Sequence, residues 1–358
     1  MPVKIGNVRL YMGPIQVGGP DNLQTTIVDF IDGARKSLDI AVQELDNWAI
    51  ARAIVRAKQR KVRIRIVLEL DYLRSKKTLM DPYSPGGSLK ENREIHNTVL
   101  RAAISVHSDF NTNIFHQKFM VRDGEWLLTG STNFTDTGTS ANLNHVIIIH
   151  NKKVAAQYAR EFREINRGRF GKYSLEHPST PREATVSNLP MKVLFAPDHN
   201  PEMEIMKQMA KATRRIDFAI FTFAQSSGID DEMIARCRGG IKVRGALDGK
   251  QANQRWAATH PVTRAGAELY TVRKQGKLGK LHHKLMVVDG QVVIIGSFNY
   301  TGPANRLNDE NIIVIGDLES TNRQSVKAQK KLAKYALDEI DRIITTFGRK
   351  VPKKVTAP

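Results

Sequence analysis

The sequence predicts an α/β protein built from two similar halves. Three observations lead there. One motif occurs twice with identical internal spacing, strand-length apolar runs alternate with helical segments in the same order around each copy, and the chain is long enough for two substantial cores. The motif reads His116-Gln-Lys118-Phe-Met-Val-Arg-Asp123 and His282-His-Lys284-Leu-Met-Val-Val-Asp289, followed by Gly130-Ser131-Thr-Asn133 and Gly296-Ser297-Phe-Asn299. The offset from His116 to His282, 166 residues, holds at each shared Lys, Asp, Gly, Ser and Asn, and again where Asn144-His145 aligns with Glu310-Asn311. A lone His-x-Lys arises by chance in a chain of this size. Two copies in step mark a duplicated half-site.

The elements follow in order. Val8–Met12 opens the first half as a strand, residues 21–36 make a helix, Leu38–Val42 a strand, 47–58 a helix and Val62–Leu68 a strand. The motif comes next as a hairpin, then strand Val146–Ile149 and a charged helix over 151–165. The second half repeats this with strand Met191–Phe195, helix 201–214, strand Ile216–Phe221, helix 229–238 and strand Val243–Leu247. Its own hairpin, strand Ile312–Ile315 and a terminal helix over 319–346 complete it. Residues 166–190 carry Gly, Pro, Ser and Thr with little periodicity and read as a linker. The halves therefore span 1–165 and 191–346, and 347–358 form a basic tail. The offset is 178 at Leu38/Ile216 and 181 at Val62/Val243 but 166 at the motif. The first half thus has about 15 extra residues between 71 and 110, centred on the Gly/Pro-rich stretch from Asp71 to Ser88. That insertion reads equally as a wall of the site or as an ornamental surface loop.

Each motif has a local physical logic. Asp123-Gly124 and Asp289-Gly290 stand between β-prone runs, the signal of a two-residue hairpin whose turn residues take positive φ. Such a turn sets His116 opposite Ser131, Lys118 opposite Thr129 and His282 opposite Ser297. With a side-chain period of two, His, Lys, Ser and Asn share one face. Each half then offers imidazole, ammonium, hydroxyl and carboxamide together, a face suited to phosphate. Asp123 and Asp289 fall at the far tips and are expected to shape the turns. His283, whose equivalent is Gln117, points to the opposite strand face and reads as structural. One cysteine and the lack of paired-ligand spacing argue against zinc at His282 and His283.

These residues resemble the phospholipase D superfamily, whose mark is His-x-Lys-x4-Asp-x6-Gly-Ser-x-Asn; both copies match at each specified position over roughly residues 8–346. The resemblance implies two phospholipase D-like α/β halves packed about a pseudo-twofold axis, with mixed central sheets flanked by helices and one active site between them. It implies a covalent phosphohistidine and no metal or organic cofactor. By the same resemblance His116 is the nucleophile and His282 the general acid, while Lys118, Lys284, Asn133 and Asn299 hold the non-bridging oxygens, supported by Ser131 and Ser297. The downstream position that orients an imidazole is Asn144 in one half and Glu310 in the other. A carboxylate raises imidazole basicity and an amide only orients, so pairing across the interface would have Glu310 activate His116 and Asn144 serve His282.

Composition bounds the partner. Lys and Arg number 55 against 36 Asp and Glu, a net charge of +19, which favours a polyanion. Arg273, Lys274, Lys277 and Lys280 run straight into His282 and are expected to contact a nucleic-acid backbone. Apolar runs reach only strand length, the start of the chain shows no apolar signal core, and Cys237 is the single cysteine, so no transmembrane segment and a cytoplasmic setting are expected. The leading reading is a metal-independent nuclease, with DNA ahead of RNA. The alternative is a phospholipase D or phosphatidyl transferase, cardiolipin-synthase-like, acting on lipids. A third reading is a nuclease subunit of a larger DNA-processing or defence complex with a protein partner supplying specificity. A monomer suffices for one active site, since one chain supplies both half-sites.

Overall fold

A computed structural model describes residues 1–73, 89–173 and 182–352. The first half runs β1 (Val3–Ile5), β2 (Val8–Gly13), α1 (Leu23–Asp32), β3 (Ser37–Val42), α2 (Trp48–Gln59), β4 (Arg63–Glu69), α3 (Lys90–Arg101), β5 (Ser105–Asp109), β6 (Lys118–Arg122), β7 (Trp126–Gly130), α4 (Asp136–Ser140), β8 (Asn144–His150) and α5 (Lys152–Ile165). The second runs β9 (Arg182–Val186), β10 (Leu189–Ala196), α6 (Pro201–Ala210), β11 (Arg215–Ile220), α7 (Gly228–Arg238), β12 (Lys242–Asp248), α8 (Gly249–Ala252), α9 (Thr259–Arg264) and β13 (Glu268–Val272). It closes with β14 (Lys284–Val288), β15 (Val292–Gly296), α10 (Gly302–Arg306), β16 (Glu310–Ile315), α11 (Arg323–Phe347) and β17 (Gly348–Lys350).

Two mixed sheets result, ordered β1-β2-β8-β7-β6-β3-β4-β5 and β17-β13-β12-β11-β14-β15-β16-β10-β9. In each, three strands are parallel (β3, β4, β5 and β11, β12, β13) and the motif hairpin joins them antiparallel through β6 or β14. β16 is buried along its whole length, as expected for a strand covered on both faces. The halves meet through a shared apolar core. α5 contributes Val154, Ala155, Tyr158 and Phe162 to it, and α11 contributes Leu332, Ala333, Ala336 and Ile340. The two helices start alike: Asn151 accepts from the N–H groups of Lys153 and Val154, and Asn322 from those of Gln324 and Ser325.

Several segments depart from the sequence reading. Residues 182–190, inside the segment read as linker, form β9 and the start of β10, and Gly348–Lys350 of the expected tail pairs with β13. The inserted stretch from 74 to 88 lies outside the described residues, but α3 and β5 beside it are regular elements. The hairpin register also changes. Asp123 and Gly124 have φ of 55° and 71°, and Asp289 and Gly290 have 52° and 64°, as the turn requires. However, Glu125 and Gln291 each add a residue before pairing resumes, so Phe119 faces Thr129 and Leu285 faces Ile295. The pairs His116/Ser131, Lys118/Thr129 and His282/Ser297 are therefore replaced by a register one residue on. The aspartates do shape these ends. Asp123 accepts from the backbone N–H groups of Lys36 (2.7 Å) and Ser37 (3.0 Å), and Asp289 from those of Thr213 (2.8 Å) and Arg215 (2.8 Å), which anchors β3 and β11.

Candidate active site

The site is assembled by backbone pairing between the halves. Just before β6, Phe115 forms a parallel bridge with Asp309, and the His116 N–H donates to the Asp309 carbonyl at 3.0 Å. Just before β14, Leu281 bridges Leu143, and the His282 N–H donates to the Leu143 carbonyl at 2.9 Å. Each histidine is thus laid beside the first residue of β16 or β8 from the opposite half. Those residues are Glu310 and Asn144.

His116 Nδ1 lies 2.7 Å from Glu310 Oε2, and His282 Nδ1 lies 2.9 Å from Asn144 Oδ1. Ser297 Oγ donates to the same Glu310 oxygen at 2.5 Å, and Ser131 Oγ to the same Asn144 oxygen at 2.8 Å. Two donors on one oxygen hold each acceptor still. Because both acceptors take an Nδ1–H, each imidazole keeps Nε2 for chemistry. Burial first, then the charges of Lys118 and Lys284, hold His116 well below the usual histidine range. Burial and the charges of Lys284, Lys280 and Lys118 do the same to His282, so both stay neutral near pH 7. Glu310 is pushed up to about 8 by burial, against the opposing pull of Lys118 and the Ser297 hydroxyl.

Lys118 Nζ donates to the His116 carbonyl (2.8 Å) and to Gln43 Oε1 (3.3 Å). Lys284 Nζ donates to the His282 carbonyl (2.9 Å), lies 3.0 Å from His282 Nε2 and sits 5.3 Å from the centre of the Phe221 ring. Burial pushes Lys118 down to about 7, and burial with the neighbouring Lys118 charge lowers Lys284 well below the usual range. Two buried lysines, both lowered by burial and by the charge of a neighbouring lysine, leave a pocket short of an anion. The Oδ1 atoms of Asn133 and Asn299 are buried and accept nothing among the described residues, at the same place in each half.

The sequence-predicted set His116, Lys118, Ser131, Asn144, His282, Lys284, Ser297 and Glu310 is therefore gathered in one buried network. Of the predicted basic run, Lys280 joins it, with Nζ 5.1 Å from the Phe221 ring centre and its charge felt at both histidines. Arg273 and Lys274 are exposed along a groove shared with Phe221, Asp248 and Lys280, and Lys277 is exposed on the turn between them. Three residues were missed: Gln43, Phe221 and Glu44. They follow β3 or β11 directly, and the 178-residue offset equates Gln43 with Phe221. Their position at the carboxyl ends of parallel strands was the available signal. Glu44 is pushed up to about 7 by burial and by Asp46, with Lys280 and Lys118 opposing.

A stability test follows. Lys118 has a folded value of about 7 against 10.5 for a free lysine, so its charge penalises the fold below pH 7 and the penalty fades as pH rises toward 10.5. Lys118→Met is expected to abolish turnover yet raise Tm at pH 7 by roughly 3–6 °C. Thermal scans of both proteins from pH 6 to 10.5 should show the gap narrowing; a gap of opposite sign would contradict the burial account.

This fold and this crossed pairing bring two imidazoles, two lysines and two carboxamides together, a set suited to holding a phosphate group. Residues 27–166 and 205–332 match the family model described as cardiolipin synthase, PLD-like domain, and the chain belongs to the phospholipase D superfamily. A mitochondrial cardiolipin hydrolase of Xenopus laevis is 28% identical over 133 residues, covering 37% of this chain and 56% of that one. A phospholipase D of Rickettsia conorii is 31% identical over 140 residues, covering 37% and 65%. The matched segment thus spans little more than half the length of these curated relatives. Among solved structures, phosphatidylserine synthase of Haemophilus influenzae superposes with a TM-score of 0.66 at 13% identity, covering 98% of this chain and 88% of that one. No described helix is long and apolar enough to cross a membrane.

Proposed function

We propose that this enzyme cleaves or exchanges a phosphodiester of an anionic glycerophospholipid through a phosphohistidine on His116. The crossed pairing of His116 with Glu310 and His282 with Asn144 carries the mechanism. Glu310 holds the Nδ1–H of His116, so the Nε2 lone pair attacks phosphorus, a P–N bond forms and the P–O bond to the leaving group breaks. The departing oxygen takes a proton from His282, whose Nε2 shares hydrogen-bond distance with the Lys284 ammonium. Bringing a phosphate anion into the pocket favours the protonated state of that imidazole. In the second step His282 accepts a proton from water or an alcohol, which attacks phosphorus and releases His116. Lys118, Lys284, Asn133 and Asn299 hold the non-bridging oxygens. Ser131 and Ser297 keep the orienting amide and carboxylate in place.

The lipid assignment rests on the rim of the site. Four exposed large apolar side chains lie on the segments joined at Asp309, whose carbonyl accepts from the His116 N–H: Phe110 (80% exposed), Ile114 (46%), Tyr173 (65%) and Leu307 (38%). They sit on three segments tied together at Asp309, whose N–H donates to the Ile114 carbonyl and whose carboxylate accepts from the Gly171 N–H. An apolar wall beside a cationic pocket suits acyl chains below an anionic headgroup. The names of the curated relatives support the same class. The exposed Arg273, Lys274 and Lys277 favour a second reading, a nuclease that tracks a phosphate backbone.

Vesicles containing cardiolipin or phosphatidylglycerol, neutral vesicles, and end-labelled single-stranded DNA and RNA separate the two when assayed in excess EDTA beside His116→Ala. Turnover confined to the anionic vesicles is expected. The double variant Phe110→Ser/Leu307→Ser should lose about tenfold on vesicles while keeping its rate on a soluble aryl phosphodiester. Cleavage of nucleic acid alone would replace the lipid reading with the nuclease.

A further inference from the structure

Beyond the catalytic groups, a second chain of hydrogen bonds runs from α11 to His282. Arg342 grips both oxygens of Glu339 at 2.7 and 2.8 Å, and Glu339 Oε1 lies 3.4 Å from His283 Nε2. The His283 and His145 rings lie parallel within 4°, with their Nδ1 atoms 3.1 Å apart. His145 Nδ1 is 3.3 Å from Ser131 Oγ, the hydroxyl that donates to the Asn144 oxygen facing His282. Each member from Glu339 to His282 is almost wholly buried, and Arg342 is half-buried at the end of the chain.

The other half carries the same positions with different chemistry. There Gln117 Nε2 donates to Glu161 (3.3 Å), and Asn311 Nδ2 donates to Gln117 Oε1 (2.7 Å). The pseudo-twofold relation thus turns an amide pair near His116 into an imidazole pair near His282. Amides present fixed donors and acceptors, whereas an imidazole pair has to choose tautomers.

The choice is forced at His145 and His283. Two Nδ1 atoms at 3.1 Å need one proton between them, since two lone pairs repel and two N–H groups clash. The Glu339 carboxylate takes Nε2–H of His283, which leaves its Nδ1 bare and makes His145 the Nδ1–H donor, its proton shared between His283 Nδ1 and Ser131 Oγ. The opposite tautomer would put a proton on His145 Nε2, a buried atom with no partner among the described residues. Burial, with His283 and Lys284 nearby, keeps His145 neutral. Burial also lowers His283, with Arg342 and Lys284 adding to it and Glu339 opposing.

We propose that His145 and His283 are positioning residues for His282: through Ser131 and Asn144 the chain Glu339–His283–His145 fixes His282 as its Nδ1–H tautomer, with Nε2 toward the substrate. This rests on the reading of His282 as the group that protonates the leaving oxygen. Such a role leaves attack by His116 untouched and acts at the two proton transfers of His282, to an alkyl leaving group and from the water or alcohol that opens the phosphohistidine.

Two diesters expose the difference. An aryl leaving group departs without a proton and an alkyl one does not. His283→Gln is expected to lower kcat on the alkyl diester about tenfold with KM unchanged, and to leave the rate of the aryl burst, the first step alone, within about twofold. The double variant His283→Gln/His145→Asn, which installs the amide pair of the other half, should return the alkyl rate to within about threefold of wild type. Equal losses in the alkyl rate and the aryl burst, or none in either, would overturn the proposal. Independently of any variant, nitrogen-15 NMR of the wild type should find His145 and His282 both protonated at Nδ1. An Nε2–H tautomer at His145 would also overturn it. Retention of either rate by His116→Ala would instead bring down the phosphohistidine mechanism itself.

Discussion

His116→Ala is expected to lower diester turnover by about 10⁵-fold on aryl and alkyl leaving groups alike, because no P–N bond then forms. His282→Ala should behave differently. It loses a comparable factor on an alkyl diester, which needs the proton, but on an aryl diester it should release one equivalent of leaving group quickly and then stall. Stopped-flow detection of the aryl product checks both. A burst from His116→Ala with none from His282→Ala would exchange the two roles.

The second large effect concerns Glu310. Glu310 Oε2 takes hydrogen bonds from His116 Nδ1 and Ser297 Oγ at once. Glu310→Gln keeps the shape, but its amide can present an N–H to Nδ1 and so drive the imidazole proton onto Nε2, where it blocks attack. A loss of about 10³-fold in kcat is expected, in line with the cost of a wrong imidazole tautomer in other histidine sites. Asn144→Asp, the reverse exchange on His282, should cost far less in the aryl burst, because that histidine has no part in the first attack. Burst rates of the two variants on an aryl diester measure the asymmetry; equal losses would mean that the carboxylate and the amide are interchangeable.

Much of this site could be read from residues alone, and the reasons are local. The turn at Asp123-Gly124 was legible because its positive φ demands those residue types. The extra residue at Glu125 was not, since a glutamate beside a strand has no property that marks it as bulged. The equivalence of Asn144 with Glu310 came from the offset between the halves. Their distances to His282 and His116 depend on Leu143 and Asp309 lending backbone carbonyls across the interface, which no local pattern encodes.

His283 shows the limit from the other side. Set against Gln117 it reads as a core substitution, and only its partner His145 gives it chemistry. α3 was hidden for a different reason: Ile95 and Val99 are its buried apolar residues, in a helix polar elsewhere except for the exposed Leu100 and next to a Gly/Pro-rich stretch. The net charge of +19 fits an anionic lipid surface as well as a nucleic acid. The exposed apolar side chains at Phe110 and Leu307, with the names of the curated relatives, tilt the balance.

The central claim is a covalent bond between phosphorus and His116. Mixing His282→Asn with an aryl diester, quenching at neutral pH and mapping peptides by mass spectrometry reads that bond directly. The account predicts a phosphoryl adduct near one per chain on the peptide containing His116, formed at the rate of the aryl burst. An adduct on the peptide containing His282, or full turnover with no adduct anywhere, would contradict it.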